Sequence, residues 1–181
     1  MPDRPNPDDP TPAPVPPALA PPPGAMVVVG ESLIKSVVEA SRTSPRRRTI
    51  LPLHKRLDDP LQRMLNAIQP GSYVRPHRHA PPVGEGLVVL QGALRFIAFA
   101  DDGEIRRAVD LGAGGDLGVD VESDVYHTLV ALAPDSVIYE VKTGPYRPAN
   151  DKSFAPWAPA EDTPDAARYL QDLIARTTPH G

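Results

Sequence analysis

An all-β fold of the jelly-roll barrel type, with one short helix before it and another after it, is what this sequence predicts. Three observations predict it. Between residues 72 and 142, short runs rich in β-branched and aromatic residues alternate with turn signals at regular spacing. Ahead of that region, Leu33, Ile34, Val37 and Val38 recur at helical spacing. Behind it, Thr163-Pro164-Asp165 reads as a helix start, with a capping hydroxyl, proline at the first position and then an acid; Leu170, Leu173 and Ile174 supply the apolar face.

Proline divides the chain. Eleven of the first 25 residues are proline, against 14 in the remaining 156. Residues 1–25 lack bulky apolar side chains and read as a disordered, polyproline-like tail; residues 26–181 read as one domain. The first helix spans about residues 31–41, and Pro45 prevents its continuation. The run from Asp59 to Ile68 fits either a helix begun at Asp59-Pro60 or a short strand, because Leu61, Met64, Leu65 and Ile68 have a helical period in a strand-length segment. The strands follow: Ser72–His79, Leu87–Leu90, Ala93–Ala100, Ile105–Leu111, Leu117–Val121, Val125–Leu132 and Val137–Lys142. Asp101-Asp102-Gly103 between two of them is a hairpin signal. Gly112-Ala113-Gly114-Gly115 lacks the following helix and lysine of a phosphate-binding loop and reads as a strand connection.

Composition removes several function classes. The chain has no cysteine, so disulfides, thiolate metal sites and cysteine nucleophiles are excluded. A net charge of −4, with Arg46-Arg47-Arg48 as its single basic run, gives no electrostatic footprint for nucleic acid. No apolar run approaches the ~20 residues that span a bilayer, and Met1-Pro-Asp-Arg-Pro does not begin a secretory signal. The expected setting is cytoplasmic, without membrane or nucleic-acid partners.

The chemistry concentrates in Gly71-Ser-Tyr-Val-Arg-Pro-His77-Arg-His79. On a strand, residues two apart share a face at about 6.6 Å, so two imidazoles can converge on one ion. Glu85 begins the next strand after a turn with two prolines and a glycine, and His127 lies on a later strand. His77, His79, Glu85 and His127 are therefore the expected ligands of one divalent transition metal ion: Fe, Mn, Ni, Co or Zn. His54 and His180 are left outside the set. Four protein ligands leave two positions of an octahedral ion for water or ligand.

Gly71-x5-His77-x-His79-x5-Glu85-x6-Gly92 resembles the first cupin motif, with a slightly longer gap before the glutamate. Of the second cupin motif, His127 matches; Asp116 stands for its opening glycine, Glu122 for its proline, Asp124 for its second glycine and Ala131 for its asparagine. More narrowly, Ser44–Arg48, Asp59–Asn66, Tyr73–His79, Glu140–Tyr146 and Asp151–Trp157 resemble the WbuC family of cupin-fold metalloproteins, over about residues 26–175. The resemblance implies a cupin double-stranded β-helix, a bound metal, a strand at 61–68, and a link to bacterial surface-polysaccharide (O-antigen) gene clusters.

Strand parity places Tyr73 and Arg75 on the face of His77 and His79, with Pro76 as the point where a kink would break it. Glu140 and Lys142 share a face on the last strand. Tyr73, Glu140 and Lys142 are the expected proton-handling residues, and Arg75 the expected anchor for an anionic or sugar-like small molecule. Tyr146, Phe154 and Trp157 read as packing for the C-terminal segment. Two functions fit: a metal-dependent isomerase, epimerase or oxygenase on a small polar or sugar substrate, or a non-catalytic module that binds a carboxylate or sugar through its metal. A homodimer is compatible with either.

Overall fold

The computed structural model describes residues 18–147 and 151–178. Most of the expected tail (residues 1–17) and His180 lie outside them. The elements are α1 (Glu31–Thr43), β1 (Arg48–Pro52), β2 (Leu61–Ile68), β3 (His77–Arg78), β4 (Glu85–Gln91), β5 (Ala93–Phe99), β6 (Ile105–Gly112), β7 (Gly118–Val121), β8 (Tyr126–Ala131), β9 (Ser136–Thr143), β10 (Ser153–Phe154) and α2 (Pro164–Thr177). They form two five-stranded antiparallel sheets, ordered β1-β2-β9-β4-β7 and β10-β3-β8-β5-β6. The fold is the all-β jelly roll that the sequence predicts, with a short helix at each end.

Each sheet buries its inner face and, under a helix, part of its outer face. The inner faces meet in Ile68, Leu87, Val121 and Ile138 from one sheet and Leu94, Phe96, Leu111 and Ala131 from the other. The outer face of the first sheet takes α1: Val37 and Val38 pack on Leu51, Leu65, Ala67 and Val137. The outer face of the second takes α2: Ala166, Leu170 and Leu173 pack on Ile97, Phe99, Tyr126 and Val130. Pro45 forces the preceding residue into extended backbone. Ser44 accordingly leaves α1 with φ −69° and ψ 132°. At α2 the proline start holds, but the Thr163 hydroxyl donates to the Ala160 carbonyl (2.7 Å) rather than capping the helix.

Residues 61–68 are a strand, paired with β1 on one side and β9 on the other. The helical period of the run is overridden because both of its faces are buried, one by the barrel and one by α1. Residues 18–22, inside the segment expected as a tail, lie against the domain: Ala18 bridges Ile50, Leu19 donates to the Ile50 carbonyl (2.9 Å) and packs beside α1, and Lys55 reaches the Pro22 carbonyl. No helix among the described residues is long and apolar enough to cross a membrane.

Candidate metal centre

Register carries the inner faces from apolar to ionisable in one direction. Along β9 the inward residues run Ile138, Glu140, Lys142; along β4 they run Val89, Leu87, Glu85; along β8, Ala131, Leu129, His127. Glu85 pairs with Lys142, Leu87 with Glu140, and His77 with His127. The polar residues thus gather at one end of the barrel above the apolar core, and the Phe96 ring stacks on His127 at 5.5 Å as the last layer between the two.

His77, His79 and His127 form one buried cluster, each offering a ligand atom within 4.8 Å of the others. Their orientation follows from the backbone. His77 Nδ1 lies 2.9 Å from the Arg75 carbonyl, His79 Nδ1 2.5 Å from that of Asp151, and His127 Nδ1 2.8 Å from that of Val125. A carbonyl only accepts, so each Nδ1 carries the proton and each Nε2 presents a lone pair. Burial, with the charge of Lys152 and the ring of His127, pushes the His77 pKa well below its usual range, which keeps that ring neutral.

Glu85, outside that three-histidine cluster, lies against two of its members. Its carboxylate lies 2.9 Å from His127 Nε2 and 3.1 Å from His79 Nε2. Burial opposes its charge; protonated His127 and His79 rings outweigh that and hold the carboxyl well below the usual carboxylate range, and with Nε2 unprotonated a bound cation would have to supply the same positive charge. These contacts are close yet not aligned as hydrogen bonds, and both Nε2 atoms are buried without a partner. Buried orphan atoms of this kind are costly. A cation shared by the three rings and Glu85 would satisfy all of them, so the donor set fits a divalent ion such as zinc, iron or manganese.

Glu140 and Lys142 both lie inside the barrel near the histidines. Asn66 Nδ2 donates to Glu140 Oε2 (2.5 Å), and burial together with Glu85 pushes the Glu140 carboxyl above its usual range. Lys142 is buried and paired with Asp151 at 2.6 Å. Tyr73 does not join them. Residues 72–76 are not a strand, and Tyr73 turns to the α2 side, where its hydroxyl donates to the Pro159 carbonyl (2.9 Å) and its ring meets Tyr169. Pro76, fully buried, marks the break in parity. Arg75 Nη2 donates to the Ala155 carbonyl (3.1 Å), its guanidinium sits 5.0 Å over the Phe154 ring, and its Nε is buried without a partner.

Two residues near the histidines were not expected from sequence. Phe154, read as C-terminal packing, lies on β10 opposite His77, with ring centroids 6.3 Å apart, and stays 45% exposed. Asp151, in the segment before β10, accepts from His79 Nδ1 at its carbonyl and from Lys142 at its carboxylate. Neither had a usable signal, because β10 is two residues long and is placed by its pairing to β3. Trp157 does pack as expected, against Phe99 and Tyr126, while Tyr146 lies beside Lys142, 5.6 Å from Nζ.

Residues 29–111 match the family model described as a domain of unknown function, DUF6016. No curated protein matches the chain in sequence. Solved structures similar to it include KdgF from a Halomonas species, 23% identical over 58% of this chain and 84% of that one, with a TM-score of 0.43. Another is ligand-free L-ribose isomerase from Cellulomonas parahominis, 18% identical over 68% of this chain and 72% of that one, TM-score 0.49. A third is the formate complex of oxalate decarboxylase from Lactobacillus farciminis, 16% identical over 59% of this chain and 31% of that one, TM-score 0.43.

Proposed function

We propose that the protein binds one divalent transition metal ion through His77, His79, Glu85 and His127, and that the site acts on a small polar molecule of sugar or carboxylate type. The observation that carries this reading is the common tautomer: three backbone carbonyls fix three Nδ1 protons, so three Nε2 lone pairs converge beside one ionised carboxylate. When bound, such an ion supplies Lewis acidity and an anchor for ligand oxygens. The chain supplies the proton chemistry. A carboxyl raised toward neutrality exchanges protons more readily near physiological pH than an ordinary one. Glu140 is such a group, and the hydrogen bond from Asn66 holds one of its oxygens while the other remains for a ligand. Lys142, bound to Asp151, positions and balances this charge. One raised carboxyl beside a metal suits isomerisation or epimerisation next to a carbonyl.

The alternative, a non-catalytic binding module, draws on a specific observation. Of the three expected proton-handling residues, Tyr73 faces away and Lys142 is committed to an ion pair, which leaves Glu140. The resemblance to WbuC in the stretches Asp59–Asn66 and Glu140–Tyr146 supports placing either reading in surface-polysaccharide chemistry. Elemental analysis of protein purified from its own host should find close to one transition metal per chain. His77→Ala with His79→Ala should abolish it, and undiminished metal in that variant would sink the assignment. Glu140→Gln separates the two readings: an enzyme keeps ligand binding and loses turnover.

A further inference from the structure

Outside the barrel, α2 and residues 156–159 border an open groove of about 400 Å³. Its walls are proline and aromatic: Pro156, Trp157 and Pro159 from the segment, Tyr169 from the helix. Both rings are half-buried and held in place. Trp157 Nε1 donates to the Asp101 carbonyl (2.9 Å) and its ring packs on Phe99 and Tyr126, while Tyr169 stands edge-on to Tyr73 at 5.9 Å. Grooves walled by fixed aromatic rings suit polyproline helices, whose shape is set before they bind. The rim is charged. Arg168 pairs only with Asp165, across an exposed contact of 3.3 Å. One turn further along α2, Asp172 is exposed and has no ion pair among the described residues.

The sequence holds a matching segment, and the fold aims it at the groove. Residues 1–17 precede the described chain and are rich in proline. Ala18 bridges Ile50 in parallel, so the chain enters Ala18 from the Arg48 end of β1. Arg48 holds Glu161, which lies two residues past Pro159, the near end of the groove. Ile50 to Arg48, and Glu161 to Pro159, are each at most about 7 Å of chain. The stretch from Pro10 to Ala18 covers about 25 Å as a polyproline helix, enough for the whole path. We propose that Arg4-Pro5-Asn6-Pro7-Asp8-Asp9-Pro10 of the same chain docks in this groove as a polyproline helix. Three residues per turn put Arg4, Pro7 and Pro10 on one edge. With Pro10 toward Pro159, Pro7 meets Trp157 and Tyr169, Arg4 reaches Asp172, and Asp8 and Asp9 pass Arg168.

The test uses the full chain and its one tryptophan, Trp157, as the probe. Fluorescence quenching by acrylamide reads how far the ring is covered. Pro7→Ala with Pro10→Ala should raise the quenching constant about twofold over wild type, since one side of a half-buried ring is uncovered. Arg4→Glu should raise it too, and adding Asp172→Arg should bring it back to the wild-type value. The shielding should persist over about a hundredfold dilution, because a tethered segment meets its groove at an effective concentration of the order of millimolar. Equal quenching in wild type and the proline variant overturns the proposal, as does a charge swap that restores nothing. Shielding lost on dilution overturns it as well, because the occupant is then the segment of a second copy.

Discussion

Gly92, in the turn between β4 and β5, has φ +78°, and a Cβ there would meet Ser136 Oγ at 2.5 Å and Cα at 2.7 Å. Ser136 cannot yield: its hydroxyl bonds the Ala93 amide and the Ala93 and Ala133 carbonyls. Gly92→Ala should therefore cost about 3 kcal/mol, since it adds backbone strain to a fixed clash; a shift in denaturant midpoint at unchanged slope measures it. At Asp124, where the second cupin motif has glycine, φ is +64°. Aspartate tolerates that region better than most residues. The turn that the motif encodes is thus made with a different side chain, which is why its sequence signal was weak while His127 still reached the site. The three-histidine cluster and its neighbour Glu85 were legible because His77 and His79 obey simple parity and Glu85 starts a strand. Tyr73 was misplaced because parity needs a continuous strand, and the backbone of 72–76 is not one. The 151–155 segment was invisible because no local pattern reports a stretch placed by its long-range pairings.

Between elements, one carboxylate ties the two sides of the molecule. Glu161, ahead of α2, receives Arg46 Nη2 at 2.7 Å and Arg48 Nη2 at 2.6 Å, and Arg48 Nη1 also donates to the Tyr73 carbonyl at 2.8 Å. The basic run, too short to mark a nucleic-acid surface, is thus partly a clamp from β1 onto the α2 segment. Burial opposes the Glu161 charge, but Arg48 and Arg46 outweigh it and hold the carboxyl below its ordinary value of 4.5. A depressed folded value means the stabilisation is complete above the unfolded value and is lost as pH falls through the folded one. Glu161→Gln should cost about 2 kcal/mol at pH 7, because Arg48 is left nearly buried without its counter-charge. Thermal melts from pH 7 downward should show the gap between wild type and variant narrowing below about pH 4.5; a gap independent of pH would mean the clamp acts through shape alone. The long strands were legible through their turn signals. β1 escaped because its five residues end in Pro52 and begin inside the arginine run, and β10 because two residues carry no period.

The whole molecule is a barrel with three apolar layers: one inside, one under α1 and one under α2. Two helices over two sheets explain why β2 is buried on both sides, while β4 and β6 keep exposed outward residues. The layer under α1 extends beyond the helix to the segment that precedes it. Leu19, Val27 and Val29 pack there, and Ala18 and Leu19 pair with Ile50 at the free edge of β1. An uncovered edge strand is a site for unwanted pairing between chains, and a short bridged segment blunts it. The proline-rich composition that marks residues 1–25 as a tail suits this role at its C-terminal end, because proline lies readily along a sheet edge where few donors are needed. A chain beginning at Met26 loses the Leu19 contact and the Ile50 bridge that a chain beginning at Ala18 keeps. Partial burial of one leucine and one edge hydrogen bond together amount to about 1 kcal/mol, or a melting temperature lower by about 3 °C in a domain of this size. The shorter chain should also self-associate more at high concentration, as light scattering would detect. Equal melting points and equal scattering for the two chains would show that residues 18–25 neither stabilise the domain nor guard its edge.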